Sequence, residues 1–434
     1  MYITRNIEQT INRISNQFKV LLLTDARQVG KTTLLKHLAQ NSSRTYVTLD
    51  DLAVRSLALA DPALFLQRYT PPLLIDEIQY APQLLSYIKM YADNGAHNGD
   101  IWLTGSQRLP LMQGVTESLA GRVGIIDLQG LSASEINGTD NTEPFLPEVE
   151  LLFNRINKAK KQSLKEIYKL IWQGSMPAMY NGGEQDWQNY YASYVQTFLQ
   201  RDVMKLLQIN DEMVFFRFLC AAAGQTGKMI NYAELAKAAE ISAPTAKQWI
   251  KTLEAAGIIY LLQPFMPPGA KYIVKAPKLY FFDTGLAAYL TRWLNVDALE
   301  AGAASSEFFE TWVVTEIYKS YANKGIVPPL YYLRNFNGKE IELIIWQNGT
   351  AYPIAVKKSA YPNKAVKIFA ILEPVSADAK INIGAGGKPS IVRPGGGYQQ
   401  QHDNDSNNNK PHMGGSGIIH KHSSDTEIPP WIRG

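Results

Sequence analysis

One cysteine, Cys220, stands among 434 residues. A single thiol excludes an internal disulfide framework and fits a reducing compartment. It lies in the apolar run FFRFLCAAAG and reads as a small buried hydrophobe. Long apolar runs are missing too: no stretch reaches the roughly 18 residues needed to cross a bilayer. The N-terminal MYITRNIEQTINRISNQF is polar and amphipathic, without the apolar centre of a signal peptide. The expectation is a cytoplasmic protein with no membrane partner. A strong charge of either sign is also absent. The formal net charge of +4 permits a local basic face for nucleic acid without arguing for one.

At this length the chain has room for about two to four domains. Hydrophobic residues make up 46% and charged ones 19%, the ordinary balance of a globular protein. The first third alternates short apolar runs with helical patterns. Candidate strands are KVLLLT from Lys19, TYVTLD from Thr45, PLLIDE from Pro72, IWLTGS from Ile101 and VGIIDL from Val123. Helix-like segments such as LLSYIKMYADN lie between them, and that alternation predicts βαβ units in a parallel sheet with helices on both faces. After about Pro147 long helical patterns take over, including YYASYVQTFLQRDVMKLLQI from Tyr190. From about Ser305 a helix, SEFFETWVVTEIYKSYA, precedes strand-like PLYYLRN, KEIELIIW and AYPIAVKKS. The end, from about Gly384, is rich in Gly, Asn, Gln, Ser and His and holds four of the six histidines. Its composition cannot bury a core, so those histidines read as a solvated tail rather than a metal site.

The stretch LLLTDARQVGKTTLLKHLA, from Leu21, carries the clearest chemistry. A strand runs into a turn of Ala26, Arg27, Gln28, Val29 and Gly30, and then Lys31, Thr32 and Thr33 open a helix. In this pattern backbone N–H groups and the helix N-terminus face phosphates, Lys31 reaches the β/γ oxygens of ATP, and Thr32 can ligate Mg²⁺. Gly-Lys-Thr alone also begins ordinary helices. The second half strengthens the reading: PPLLIDEIQ is an apolar strand ending in Asp76-Glu77. Asp76 would hold the Mg²⁺ shell, and Glu77 would orient and activate the attacking water. Without the upstream loop these are simply two carboxylates at a strand's exposed end. A further strand ends in LTGSQ, placing Thr104 and Ser106 to offer a hydroxyl to the γ-phosphate or the water. SLAGR then presents Arg122, either as a cation for the phosphates or a neighbouring subunit's site, or as a structural arginine at a helix end.

One position resists this reading. Asp25 stands where such a loop normally opens with glycine. At an effective dielectric of about 20, a carboxylate roughly 6 Å from one phosphate charge costs about 3 kcal/mol, on the order of a hundredfold in affinity. Turned away, it costs only the strain of a non-glycine residue at a positive φ, which Asp tolerates better than most. The expectation is a site that binds nucleotide weakly.

LLTDARQVGKTTLLKHL, YVTLDD, PPLLIDEIQYAPQLLSYIK, LTGSQ and ESLAGRV together closely resemble a widespread group of prokaryotic AAA+ superfamily ATPases. Most of that group are predicted ATPases carrying a C-terminal domain of unknown function. The group's loop usually reads Gly-Pro-Arg-Gln-Val-Gly-Lys-Thr-Thr, so Asp25 and Ala26 replace its Gly-Pro pair.

NYAELAKAAEISAPTAKQWIKTLEAAGIIYLLQPF, from Asn231, reads as a helix-turn-helix followed by a wing. Leu235, Ile241, Ile250 and Leu253 suit core faces, and Gly257 ends the second helix. Lys247 and Lys251, with Thr245 and Gln248, would face a DNA groove or phosphates. Winged helices also serve as protein-interaction or intramolecular spacers, and two lysines are a thin basic surface. The resemblance continues through TFLQRDV and KAPKLYFFDTGLAAYL. The last folded region resembles the restriction-endonuclease-like fold that ends many members of the group. That resemblance implies a helix glutamate, an acidic residue on one strand and Glu-x-Lys on the next, together holding Mg²⁺. Glu310 matches the first and Glu342 the second, but the third reads Ala355-Val356-Lys357. Loss of a hard oxygen ligand weakens a Mg²⁺ site, so Glu310, Glu342 and Lys357 form a degenerate set and nuclease activity is not expected.

The expected fold class is an α/β P-loop NTPase, then a helical and winged-helix domain, then a small α+β restriction-endonuclease-like domain. The expected divisions are the ATPase domain over 1–140, a helical linker over 141–210, the winged helix over 211–300, the nuclease-like domain over 301–375 and a disordered low-complexity tail over 376–434. The expected function is a Mg-dependent ATPase whose nucleotide state controls the C-terminal modules. The alternative is a nucleic-acid- or protein-binding scaffold with a vestigial ATPase. Expected partners are nucleotide, DNA through the winged helix, and a protein partner or a second copy of the chain.

Overall fold

The computed structural model describes residues 2–24, 26–40, 42–105, 114–115, 117–139, 142–182, 186–197, 203–207, 209, 211–266, 274–358, 380–384 and 390–392. Five strands form the first sheet: β1 (Val20–Thr24), β2 (Thr45–Thr48), β3 (Leu73–Asp76), β4 (Ile101–Thr104) and β5 (Val123–Asp127). Their order is β2-β3-β4-β1-β5, and every pairing is parallel. Such sheets need cover on both faces, and alternation along the strands supplies two cores. Val20, Leu22, Leu73, Ile75, Ile101 and Leu103 enter one apolar cluster, with Ile88 and Phe65 from helices Leu84–Asp93 and Pro62–Arg68. Leu21, Leu23, Leu74, Trp102 and Ile126 enter the other, with Ile7 and Ile11 beneath them. The α/β class with a parallel sheet is therefore the observed one.

The order has one consequence for chemistry. β1, which feeds the Gly30 turn, and β3, which ends in Asp76, are not neighbours. β4 lies between them and brings Thr104 to the same carboxyl-terminal edge, where ligands of open parallel sheets bind.

Beyond the sheet come helices Val149–Lys158, Leu164–Gln173 and Trp187–Tyr194, then Glu212–Ala223. Helix Tyr232–Ala239 starts on Asn231, whose side chain accepts the N–H groups of Ala233 and Glu234, and stops at Glu240 with φ 57°. Ser242 restarts the chain as the cap of helix Ala243–Ala255, and Gly257 follows it at φ 71°. Leu235, Ile250 and Leu253 are buried, while Ile241 is half-buried. β6 (Lys228–Met229), β7 (Ile259–Leu262) and β8 (Lys278–Phe281) make a three-stranded antiparallel sheet in the order β6-β8-β7. Cys220 is half-buried rather than fully enclosed, and burial pushes its thiol pKa up.

The last sheet is ordered β13-β12-β11-β10-β9, from β9 (Leu330–Arg334), β10 (Glu340–Gln347), β11 (Thr350–Lys357), β12 (Lys380–Gly384) and β13 (Ser390–Val392). β9, β10 and β11 pair antiparallel, β12 joins β11 in parallel, and β13 returns antiparallel. Helix Ser305–Ala322 packs against β8 and β11. Backbone hydrogen bonds tie the segment after β7 to β9, among them Tyr332 N–H to the Gln263 carbonyl at 3.1 Å and Phe265 N–H to the Tyr332 carbonyl at 2.6 Å.

β12 and β13 correct the expected boundary at 375/376. The alternating KINIG and the short SIV are strand segments inside a Gly-rich composition, and they extend the sheet to Val392. The rest of the expected tail, including its four histidines, lies outside the described residues. Among the described residues no helix is long and apolar enough to cross a membrane.

Candidate functional site

The loop after β1 takes its shape from two left-handed residues, Gln28 at φ 65° and Gly30 at φ 95°. An ideal Cβ on Gly30 would meet only ordinary contacts, Pro177 Cγ at 3.7 Å and Arg5 Nη1 at 3.8 Å. Glycine is therefore required there by the backbone angle rather than by space. Gly30 is the N-cap of helix Lys31–Ala39 and no side chain caps that end, so the helix presents backbone N–H groups suited to an anion. Ala26 and Val29 are buried, Arg27 is half-buried, and Gln28 and Thr33 are exposed. The Lys31 side chain is nearly buried, with its ammonium donating to the Ala26 carbonyl at 2.6 Å.

Thr32 brings the two halves together. Its hydroxyl donates to Asp76 Oδ1 at 2.8 Å and lies 3.1 Å from Oδ2. The Tyr46 hydroxyl donates to Asp76 Oδ2 at 3.0 Å, and the Thr104 hydroxyl donates to Oδ1. Burial, then the Asp76 charge, pushes the Tyr46 phenol up to about 12. Thr104 also accepts the Glu77 N–H at 3.2 Å. Its hydroxyl thus engages both acidic residues of the strand end. Glu77 sits in the left-handed region at φ 58° and its carboxylate accepts from the Gln79 amide. A β-region strand that turns abruptly left-handed lifts this side chain off the strand line, a strain found preferentially at functional positions. Asp50 is exposed, and partial desolvation, then the charges of Glu77 and Asp76, raise its carboxyl pKa.

The donors fit a magnesium nucleotide. A hydroxyl and a carboxylate 2.8 Å apart are hard oxygen donors of the kind Mg²⁺ takes when phosphates complete its shell, and left-handed residues such as Gln28 and Gly30 make a backbone concavity suited to an anion.

Arg122 requires correction. It immediately precedes β5, and its carbonyl accepts the N–H of Val20 at the start of β1. That is the amino-terminal edge of the sheet, opposite the Gly30 turn. Its guanidinium is held by Asp93, with Nη2 3.0 Å from Oδ2, so within its own subunit it is a structural arginine. Asp25 and Ser106 lie outside the described residues.

Sequence reading missed several groups around the loop. Arg5 donates to the Val29 carbonyl, and Tyr190 donates to Gln28 Oε1 at 2.8 Å. Tyr190 packs edge-on against Tyr191, whose hydroxyl reaches Asp283 Oδ1 at 2.7 Å. Asp283 also accepts from the N–H and hydroxyl of Ser175 at 2.6 and 2.9 Å, and from Leu286 N–H. The Ser175 carbonyl in turn accepts Leu131 N–H at 2.7 Å. Only Tyr46 had a usable signal, its place in the strand YVTLDD beside the acidic strand.

A second polar cluster lies in the C-terminal part. Glu342 pairs with Lys357 and accepts Val356 N–H, and its charge acts on Glu310, so the three expected residues do converge. Ala355 is fully buried beside them. Lys278, absent from the sequence reading, donates to Glu310 and, at 2.6 Å, to Glu340. Arg334 completes Glu340 at 3.0 Å, and Tyr280 donates to Glu310 at 2.7 Å. Three carboxylates thus face three cations. Burial raises the Glu310 carboxyl, Lys278 opposes it, Glu342 adds to it, and the net direction is up. Glu340 is also raised by burial, but Lys278 and Arg334 outweigh this and the net direction is down. Among the described residues no group of three His, Cys, Asp or Glu is arranged to hold a metal ion.

Comparison with known proteins bears on the first site. Residues 17–137 match a family model described as AAA domain. The chain carries an AAA domain. Behind the AAA domain, residues 164–297 match a domain of unknown function (DUF8612) and residues 305–391 another (DUF4143). The second of these matches ends inside β13. Two curated proteins, the uncharacterized Mb2031c of Mycobacterium bovis and Rv2008c of Mycobacterium tuberculosis, are each 26% identical over 363 residues, 83% of this chain and 75% of theirs. Among solved structures, the Walker-type ATPase PABY2304 of Pyrococcus abyssi is 14% identical, with 67% of this chain and 96% of that chain covered and a TM-score of 0.43. The signal transduction ATPase PH0952 of Pyrococcus horikoshii is 13% identical, with 75% and 48% covered and a TM-score of 0.26.

Proposed function

We propose that the AAA domain binds Mg-ATP at the Gly30 turn and hydrolyses it, and that nucleotide state controls the C-terminal parts. The observation that carries the reading is the Thr32 hydroxyl seated on Asp76 at 2.8 Å. These residues are 44 apart in sequence, and together they would hold Mg²⁺. Mg²⁺ supplies charge neutralisation at the β- and γ-phosphates when bound. Lys31 exchanges its bond to Ala26 for phosphate oxygens, while Tyr46 and Thr104 keep the Asp76 carboxylate turned toward Thr32. Glu77, steadied by Gln79, takes the position of the base that orients water. A phosphate-release assay tests this: Mg-dependent turnover is expected, and turnover unaffected by Lys31→Ala would remove the reading.

Control of the C-terminal parts is supported by the contacts of Gln28. They run from the loop through Tyr190 and Tyr191 to Asp283, which caps helix Thr284–Leu290 immediately after β8. Residues 231–262 and β8 have the order of a winged helix, with Lys247, Gln248 and Lys251 exposed. Their role here is nucleic-acid phosphate contact, with Thr245 at the start of the same helix. Binding that weakens steeply with salt and is reduced by Lys247→Ala/Lys251→Ala is the expected result.

The scaffold alternative has two departures in its favour, the carboxylate of Asp25 in place of loop glycine and Ala355 in place of the nuclease-like glutamate. It predicts nucleic-acid or protein binding with no measurable ATP turnover.

A further inference from the structure

Arg5 stands ahead of helix Glu8–Ser15 and is nearly buried. Its guanidinium uses all three nitrogens. Nε donates to Glu135 Oε1 at 3.1 Å, Nη1 to the Val29 carbonyl at 3.0 Å and Nη2 to the Gln129 carbonyl at 2.6 Å. Glu135 is buried as well, and it accepts the N–H groups of Asn6 and Ser132, each at 2.7 Å. Glu135 balances the Arg5 charge, so beyond the direct bond to the Val29 carbonyl the effect of the pair on the loop is geometric.

A trans peptide carries its C=O and N–H on opposite sides. Fixing the Val29 carbonyl on Arg5 therefore turns the Gly30 N–H away from Arg5. The flanking residues, Gln28 and Gly30, are both left-handed, and such alternation makes consecutive N–H groups converge on one side of a loop. We propose that Arg5 is a positioning residue for phosphate: by holding the Val29 carbonyl it keeps the Gly30 N–H directed into the anion cradle. It does so without touching the ligand, from the side of the loop opposite the nucleotide. The inference rests on the nucleotide reading of the Gly30 turn.

Two variants test it. Arg5→Lys keeps a cation opposite Glu135, but one ammonium cannot reproduce the planar fork that reaches both carbonyls. The double variant Arg5→Met/Glu135→Gln removes both buried charges, so no lone carboxylate is left in the interior. Mg-ATP affinity, KM and kcat are measured on the full chain beside a thermal melt, well below each midpoint. Affinity should weaken about tenfold to a hundredfold in both variants, the loss expected when a charge-assisted hydrogen bond is removed. KM should rise while kcat holds, because ground and transition states lose the same contact. A merely structural Arg5 would lower the melting temperature and leave affinity and KM unchanged, and that result overturns the inference. Wild-type binding with unaltered variants sinks Arg5 alone. Absence of Mg-ATP binding in the wild type sinks the nucleotide reading, and the inference with it.

Discussion

Replacing Lys278 by methionine is the sharpest probe of the C-terminal cluster. The side chain is 2% exposed and its ammonium bonds Glu310 and Glu340, themselves 13% and 17% exposed. In Lys278→Met, Glu340 keeps Arg334, but Glu310 keeps only the Tyr280 hydroxyl and still faces the Glu342 charge. Removing one partner of a buried pair typically costs about 3–5 kcal/mol, and that is the expected loss at pH 8. The pH dependence has a definite sign. Glu310 already has a raised carboxyl pKa, and Lys278 is a group that holds it down, so the variant raises it further. A carboxyl raised in the folded state costs stability only as pH climbs above its unfolded value, the cost becoming complete above the folded one. The penalty should therefore be smaller at pH 5 than at pH 8, and Glu310→Gln added to Lys278→Met should recover most of it. Denaturant titrations at the two pH values provide the measurement. A loss under about 1 kcal/mol at pH 8, outside the range for a broken buried pair, would refute the argument, as would a penalty that grows on acidification.

Glu77→Gln should keep Mg-ATP affinity and cut hydrolysis at least about a hundredfold, the usual cost of losing a general base; unchanged turnover would make Glu77 structural. Asp25→Gly should tighten Mg-ATP binding by roughly tenfold to a hundredfold if the carboxylate opposes phosphate. Asp25→Asn should show most of that gain if charge rather than backbone strain is the cause, and no change in either variant would clear Asp25 of any role. With Ala355 in place of a carboxylate and Lys278 bonded to Glu310 and Glu340, neither Mg²⁺ nor Mn²⁺ should support cleavage of single- or double-stranded DNA. Cleavage that disappears in Lys357→Ala would contradict this.

The parallel sheet was legible because its signal is local. Each buried strand is a short apolar run, and each runs to the same edge, so Lys31, Thr32 and Asp76 could be placed before any contact was known. Thr104 was legible as to place but not as to partner, since the insertion of β4 between β1 and β3 is a matter of sheet order. Arg122 was misplaced for a related reason: SLAGR precedes a strand, and the start of a parallel strand lies at the edge away from the ligand. β12 and β13 were missed because two short strands carry little periodicity within a Gly-rich background. Arg5, Lys278 and Tyr190 were illegible for a different reason. Their partners lie 24, 32 and 162 residues away, and no local pattern marks a residue whose role is set by long-range hydrogen bonds. The Glu310, Glu342 and Lys357 set could be named from family resemblance, but the cation that completes it comes from β8, outside that pattern.

Titration calorimetry of Mg-ATP into the full chain and into Lys31→Ala tests the central claim most directly. Lys31 is the point charge for the β/γ-phosphates, and its ammonium bonds the Ala26 carbonyl at 2.6 Å within the loop itself, so its loss should leave the sheet and both cores in place. The wild type should bind, and the variant should show no measurable heat while retaining the wild-type circular dichroism spectrum. Equal affinity in the two proteins, or no binding by either, would contradict the account.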